Sequence, residues 1–391
     1  MILSIPLALL QLTHNKLRFC TTIIGLAFIV NLFFLQLGFH DALFDSSLRV
    51  YKALQGDIFL ISPQYQSITS QQPFSRMRLY QALALDSVKS ISPLYLKYGK
   101  LKNIDNGRKF SILVLGIDPG KPTLNLDEVQ QNINQLKISN QALFDRASRS
   151  EFGPIAERFN QGLNVNIEIA PYNEIIAAKN FKIVGLYTIG TSFGIDGSLI
   201  INYTDALLAF PGSDADKINL GLIILQPNTD IQKAINTLKV TLPNDVKILT
   251  RQQLYNLEKE YWSLRTPIGF SFKLMLTMGF IVGMGIIYEI LTSLIASNLK
   301  TYGTLKAMGY HHQYFFKIVF QQALILATLS YILGLILALP LYQISREVTR
   351  LPVIITIDKC LYILLFTLIM CSLSGILAIQ KTQKADPADI F

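Results

Sequence analysis

Tyr302-Gly-Thr-Leu-Lys-Ala-Met-Gly-Tyr310 is the stretch from which this chain is read. It is short and basic, and it separates two long apolar runs. Upstream, Ile268 to Tyr288 holds a single charged residue, Lys273; downstream, Ile318 to Ile344 holds none and contains Pro340. Two more runs, Phe19 to Phe39 and Cys360 to Ile379, are free of Asp, Glu, Lys, Arg and His. Crossing a bilayer takes about 20 apolar residues. Each run meets that length, so the sequence predicts four transmembrane helices.

The composition agrees. Of 391 residues, 51% are hydrophobic and 16% charged, whereas soluble chains carry about 25% charge. The formal charge is +9. Lys and Arg cluster beside the apolar runs, which points to pairing with a membrane surface and away from nucleic acid. Lys16 and Arg18 precede the first run, Lys300, Lys306 and Lys317 lie between the second and third, and Lys381 and Lys384 follow the fourth. By the positive-inside rule these flanks are cytoplasmic, and so are both termini. Cys20, Cys360 and Cys371 sit in or beside apolar runs, which argues against a disulfide framework.

The expected fold class is an α-helical membrane protein with four transmembrane helices plus a large extracytoplasmic α/β domain inserted between helices 1 and 2. In this division residues 1–18 are a cytoplasmic or interfacial segment and 19–39 are the first helix. Residues 40–267 are the extracytoplasmic (periplasmic) domain, and 268–296 the second helix with its cytoplasmic extension. A cytoplasmic segment, 297–313, leads to the third helix, 314–344, an outer loop, 345–359, the fourth helix, 360–379, and a tail, 380–391.

Within the inserted region, Gly56–Ser62, Phe110–Leu115, Phe181–Tyr187, Ser198–Ile201, Leu220–Leu225 and Val246–Leu249 read as strands, bounded by Gly and Pro. Arg78–Lys89, Ile231–Leu242 and Arg251–Leu264 read as helices. The last contains Glu258, Glu260, Tyr261 and the sole tryptophan, Trp262, an aromatic pair suited to anchoring at a membrane interface. Residues 124–178 are rich in Asn and Gln and read as an inserted subdomain.

No catalytic constellation emerges. There is no G-x-x-x-x-G-K-[ST], H-E-x-x-H or G-x-S-x-G. His311 and His312 lack further ligands at metal-binding spacing, and Asp214-x-Asp216 lacks the rest of a calcium loop. Asn202-Tyr-Thr204 fits a glycosylation sequon. Lys273 is placed to snorkel, and Glu289 closes the second run. Gly279-x-x-x-Gly283, followed by Gly285, allows close helix packing, either between two copies or within one.

One span, a large outer domain, then three spans with a basic loop after the second resembles the permeases of the MacB/FtsX-type ABC superfamily. Thr266-Pro-Ile-Gly-Phe270, Thr304-Leu-Lys-Ala-Met-Gly-Tyr310, Ala385-Asp-Pro-Ala-Asp-Ile-Phe391 and Phe144-Asp-Arg-Ala-Ser-Arg-Ser-Glu-Phe-Gly-Pro154 are similar to the DevC branch of cyanobacterial exporter permeases. The resemblance implies a non-catalytic permease subunit in the inner membrane, a homodimer that binds no cofactor. ATP would be hydrolysed by a separate cytoplasmic ABC ATPase subunit. A membrane-fusion adaptor protein and a TolC-like outer-membrane protein would complete an export path, with a lipid or glycolipid as cargo. ATPase coupling would fall on Lys300, Tyr302, Gly303, Thr304, Leu305, Lys306, Ala307, Met308, Gly309 and Tyr310. The chain departs from the pattern at Lys300 and Thr301, where an acidic residue is expected, at Gly303, where Ala is expected, and at Glu289, where an amide is expected. The alternative is an FtsX-like transmembrane signal transducer that regulates a periplasmic cell-wall hydrolase.

Overall fold

The computed structural model describes residues 5–172, 178–298, 304 and 308–383. Two compact units result: 1–42 with 267–349 and 353–391, and 43–266 with 350–352.

Four helices of the first unit are long and apolar enough to span a membrane. Counting helices along the whole chain, α1 is Ile5–Thr13, α2 Lys16–Ser47, α10 Pro267–Ser297, α11 His312–Thr349 and α12 Ile357–Gln383. α2 outruns the expected 19–39 at both ends. Asn15 Oδ1 accepts from the Arg18 amide at 3.2 Å and fixes its start. Past Phe39, His40-Asp-Ala-Leu-Phe-Asp45 offers no Gly or Pro to stop it. α10 opens on Pro267, whose missing N–H costs nothing at the first helical position. α12 begins within the expected outer loop, where Lys359 pairs with Asp41 of α2 at 3.1 Å.

Inside this unit polar groups tie helix to helix. Gln36 Nε2 donates to the Phe272 carbonyl at 2.6 Å, Ser374 Oγ to that of Met284 at 2.9 Å, and Gln322 Nε2 to Gln11 Oε1 at 2.8 Å. Such contacts matter where lipid offers no hydrophobic drive between helices. Phe33 meets Phe366 edge-to-face at 5.1 Å between ring centres. A Cβ on Gly279 would come 2.8 Å from Phe33 Cε1, and one on Gly283 would come 2.6 Å from Met370 Sδ. These two glycines are therefore close-approach points within one copy. A Cβ on Gly285 would meet nothing within 4 Å.

The second unit is built on a mixed nine-stranded sheet, in the order β11-β1-β10-β3-β4-β8-β5-β7-β6. Its strands are β1 (Ile58–Ile61), β3 (Val88–Lys102), β4 (Lys109–Ile117), β5 (Gln141–Asp145), β6 (Asn166–Pro171), β7 (Lys179–Tyr187), β8 (Ser198–Asn202), β10 (Leu220–Leu225) and β11 (Lys247–Thr250); β2 (Phe74–Ser75) pairs separately with β9 (Lys217–Ile218). β3 is the longest. Its register with β4 runs from Leu94↔Ile117 to Lys102↔Lys109, and Gly99–Leu101 also pair with Ile169–Pro171 of β6. That second pairing closes β3, β4, β8, β5, β7 and β6 into a ring.

Alternation along the strands sorts side chains to two faces. Ile112 and Val114, Leu199 and Ile201, Ala142 and Phe144, and Ile167 and Ile169 join one core cluster with α6 (Ile155–Asn160) and α7 (Tyr203–Ala209). The intervening Leu113, Leu115, Ile200 and Leu143 join another, which includes Tyr51, Tyr65 and Leu254. A third cluster sets α4 (Met77–Leu83) and α8 (Ile231–Thr241) against β1, β3 and β10.

The structure differs from the sequence reading at 124–178. These residues are not a separate subdomain, because β5 and β6 are two of the six strands in the ring. Their Asn and Gln fall mainly in the connections, including α5 (Asp127–Asn132). The helix expected over Arg78–Lys89 ends at Leu83, since Val88 already opens β3.

Gly279→Leu is expected to lower the midpoint of thermal unfolding in detergent by several degrees, consistent with about 1–3 kcal/mol of overpacking. Gly285→Leu should leave that midpoint unchanged. Equal effects from the two substitutions would contradict the assignment of Gly279 to packing within one copy.

Candidate functional site

Two places stand out: the turn between α10 and α11, and a buried carboxylate in the inserted domain. Of the turn, Thr304 and Met308–Tyr310 are described; Lys300, Tyr302, Gly303, Leu305, Lys306 and Ala307 lie outside the described residues. The Met308 amide donates to the Thr304 carbonyl at 3.0 Å. Gly309 has φ +90°, a conformation that non-glycine residues adopt only under strain. Just before α11, Met308 is 70% and Tyr310 43% exposed. A large apolar side chain and an aromatic ring are thus left accessible on the turn before α11. Glu289 and His311 are exposed. No group of three or more metal-binding side chains occurs among the described residues.

The carboxylate is Glu258 on α9 (Arg251–Glu260), a fully buried side chain. Tyr51 Oη donates to Glu258 Oε2 at 2.7 Å, the Ile68 amide donates to the same oxygen at 3.1 Å, and Trp262 Nε1 donates to Oε1 at 2.8 Å. Tyr51 and Tyr65 hydroxyls lie 2.6 Å apart. Tyr51 belongs to α3 (Arg49–Ala53), the segment that follows α2, and Trp262 belongs to the π-helical turn Tyr261–Arg265 that precedes α10. One side chain therefore joins the chain entering the domain to the chain leaving it. Arg251, at the other end of α9, donates to the carbonyls of Leu54 at 3.0 Å and Gly56 at 2.8 Å, so α9 is bound to the entering chain at both ends.

Burial pushes the Glu258 carboxyl up to about 7, against the three hydrogen bonds, which favour the charged form. Burial and the Glu258 charge together hold the Tyr51 and Tyr65 hydroxyls well above their ordinary range. The hydroxyl chain can serve either state of the acid. Tyr51 donates to the carboxylate, or accepts from the protonated acid and donates onward to Tyr65. Trp262 and the Ile68 amide can only donate.

The expected interfacial role of Trp262 is not what the structure shows. The indole is 8% exposed and committed to Glu258. In sequence Glu258 is one of two acids on the helix that leads into the second span. The signal that could have found it is its i,i+4 spacing to the sole tryptophan, a donor that needs an acceptor when buried.

The Phe144–Pro154 stretch runs from the end of β5 through a short 3-10 turn, Ser150–Phe152. Asp145, fully buried, accepts from the amides of Gly190 at 2.8 Å and Ala147 at 3.0 Å and from Ser198 Oγ at 3.1 Å; burial nevertheless raises its carboxyl. Arg350, from the segment between α11 and α12, belongs to the same unit and donates to the Ser148 carbonyl at 2.6 Å. Asn202 of the sequon caps α7, accepting from the Thr204 amide at 3.1 Å.

α10 from Lys273 onward, the turn, α11 and the whole of α12 follow one another along the chain. Residues 273–387 match the family model of the FtsX-like permease C-terminal domain. This FtsX-like region thus contains three of the membrane helices and the turn between α10 and α11. The chain is a multi-pass membrane protein. It is also similar to the periplasmic region of MacB from Actinobacillus actinomycetemcomitans, at 12% identity over 53% of this chain and 94% of that one, with a TM-score of 0.35. A similar comparison holds for the extracellular domain of YknZ, a noncanonic ABC-type transporter from Gram-positive bacteria, at 11% identity over 50% and 99%, with a TM-score of 0.32. A third is a domain of a permease protein from Porphyromonas gingivalis, at 10% identity over 51% and 89%, with a TM-score of 0.31. No curated protein matches the chain in sequence.

Glu258→Leu should destabilise the inserted domain by about 1–3 kcal/mol for each of the two N–H donors it strands. Trp262, the sole tryptophan, reports this directly by fluorescence during urea unfolding. The pH dependence has a definite sign. A folded value of about 7 against an ordinary 4.5 means that the folded state holds the proton longer. Stability is therefore greatest below the ordinary value, falls as pH rises toward 7, and levels off above it. Glu258→Gln should flatten that slope; a wild-type slope retained in this variant would remove Glu258 as its source.

Proposed function

We propose that the chain is the permease subunit of an ABC-type exporter, driven by ATP hydrolysis in a separate cytoplasmic subunit. The match of residues 273–387 to the FtsX-like permease C-terminal domain carries this reading. The chain has no P-loop of its own, so the energy must come from another chain. The exposed Met308 and Tyr310 beside the positive-φ Gly309 offer the ATPase a contact at the start of α11. Force applied there would move the helices and, through the two chain segments joined by Glu258, the inserted domain.

A homodimer suits α10. Leu274, Met278 and Ile281 are exposed on it at helical spacing, in line with the open side of Gly285. In this reading the inserted domain lies outside the cytoplasm, both termini lie inside, and an adaptor of the membrane-fusion type and a TolC-like duct carry a lipid or glycolipid onward. An FtsX-like transducer would use the same cytoplasmic grip but act on a cell-wall hydrolase. Co-purification of a hydrolase with the full chain, in place of an adaptor, would select that second reading.

Gly309→Pro should uncouple ATP hydrolysis from export while leaving membrane insertion intact. Strain of about 1–3 kcal/mol at the turn corresponds to a loss of roughly fivefold to a hundredfold in coupled flux. Leu305→Asp should act in the same direction. Normal coupling in both variants, measured as export per ATP in reconstituted vesicles, would take this segment out of the mechanism.

A further inference from the structure

The membrane unit contains a cavity of about 510 Å³ that the proposed transport cycle does not use. It lies among α1, the first turns of α2, the last turn of α10 and α11. Its walls include Leu10, Leu294 and Leu326, and its polar lining includes His14 and Arg18. Among the described residues no Asp or Glu lines it. Arg18 is half-buried there, with no carboxylate partner for its guanidinium among the described residues. A guanidinium has five donors in a planar fork suited to phosphate. The opposing helix end does not cancel this charge. The Leu294 carbonyl in the last turn of α10 already accepts from Asn298 Nδ2 and Ser297 Oγ, each at 2.9 Å.

The surroundings favour a lipid. Arg18 stands immediately before the charge-free run Phe19–Phe39, at the level where headgroups meet hydrocarbon. Leu10, part of the cavity wall, is 64% exposed, and Leu17 on the neighbouring turn is 78% exposed. Leucines left bare beside an uncompensated cation make an amphipathic mouth, apolar for an acyl chain and cationic for a phosphate. We propose that this cavity binds one anionic phospholipid, its phosphate on Arg18 and an acyl chain along Leu10, and that the lipid fixes α1 against α2, α10 and α11.

The test uses the full chain in detergent, with phosphatidylglycerol, phosphatidylcholine or inorganic phosphate added. Lipid retention is read by native mass spectrometry and the thermal midpoint is read in parallel. The wild type should retain phosphatidylglycerol about fivefold better than phosphatidylcholine, the worth of one cation near a membrane surface. Its thermal midpoint should rise with phosphatidylglycerol only. Arg18→Gln should lose that preference, Arg18→Lys should keep most of it, and Arg108→Gln, an exposed cation of the inserted domain, should change nothing. Leu10→Trp, which narrows the cavity without changing charge, should lower retention of both lipids. Equal retention of the two lipids by the wild type, or an unchanged preference in Arg18→Gln, would overturn the proposal. So would an Arg18-dependent shift produced by inorganic phosphate alone.

Discussion

The inserted domain depends on how one carboxylate is buried. Glu258 sits where water cannot reach it, and isolated burial of a carboxylate is among the costliest acts in a fold. The cost is offset because three donors converge on it from separate segments: the exit of α2, the loop at Ile68 and the approach to α10. An apolar side chain of similar volume would fill the space but leave the segments unconnected. The acid thus specifies which segments meet, the use of buried polar groups that best withstands scrutiny. The second requirement, a closed path of strands from β3 to β6, is met by backbone pairing alone.

Much of this was legible in the sequence. Four apolar runs, three of them charge-free, give four helices, because lipid imposes one long, simple pattern on a span. Short strands bounded by Gly and Pro were also found. β3 was missed because Val-Lys-Ser-Ile-Ser-Pro-Leu breaks strict alternation and carries a proline inside the strand. The extent of the sheet was missed because long-range pairing leaves no local signature. Residues 124–178 look like an insertion by composition, yet Ala142–Phe144 lie against β8 and Ile167 against β7.

The functional residues divide in the same way. The turn before α11 could be read from its basic, glycine-bearing text between two spans, and Gly309 takes the backbone conformation that only glycine adopts freely. Gly279 and Gly283 were recognisable as small residues in a span, but their partners, Phe33 and Met370, come from helices distant in sequence. Glu258 and Arg18 were visible only as charges beside apolar text. What distinguishes them is the company each keeps in space, three donors for the first and, among the described residues, no acid for the second.

The pairing of Gly99–Leu101 with Ile169–Pro171 has a consequence for how copies of this protein can assemble. A nine-stranded open sheet would offer two free borders for strand addition. Among the described residues β6 is folded back onto β3 at Ile169–Pro171, and the opposite border is β11, four residues long and opening on Lys247. A short strand bearing a lysine is a poor template for an incoming chain. This border of the inserted domain therefore disfavours the addition of a further strand.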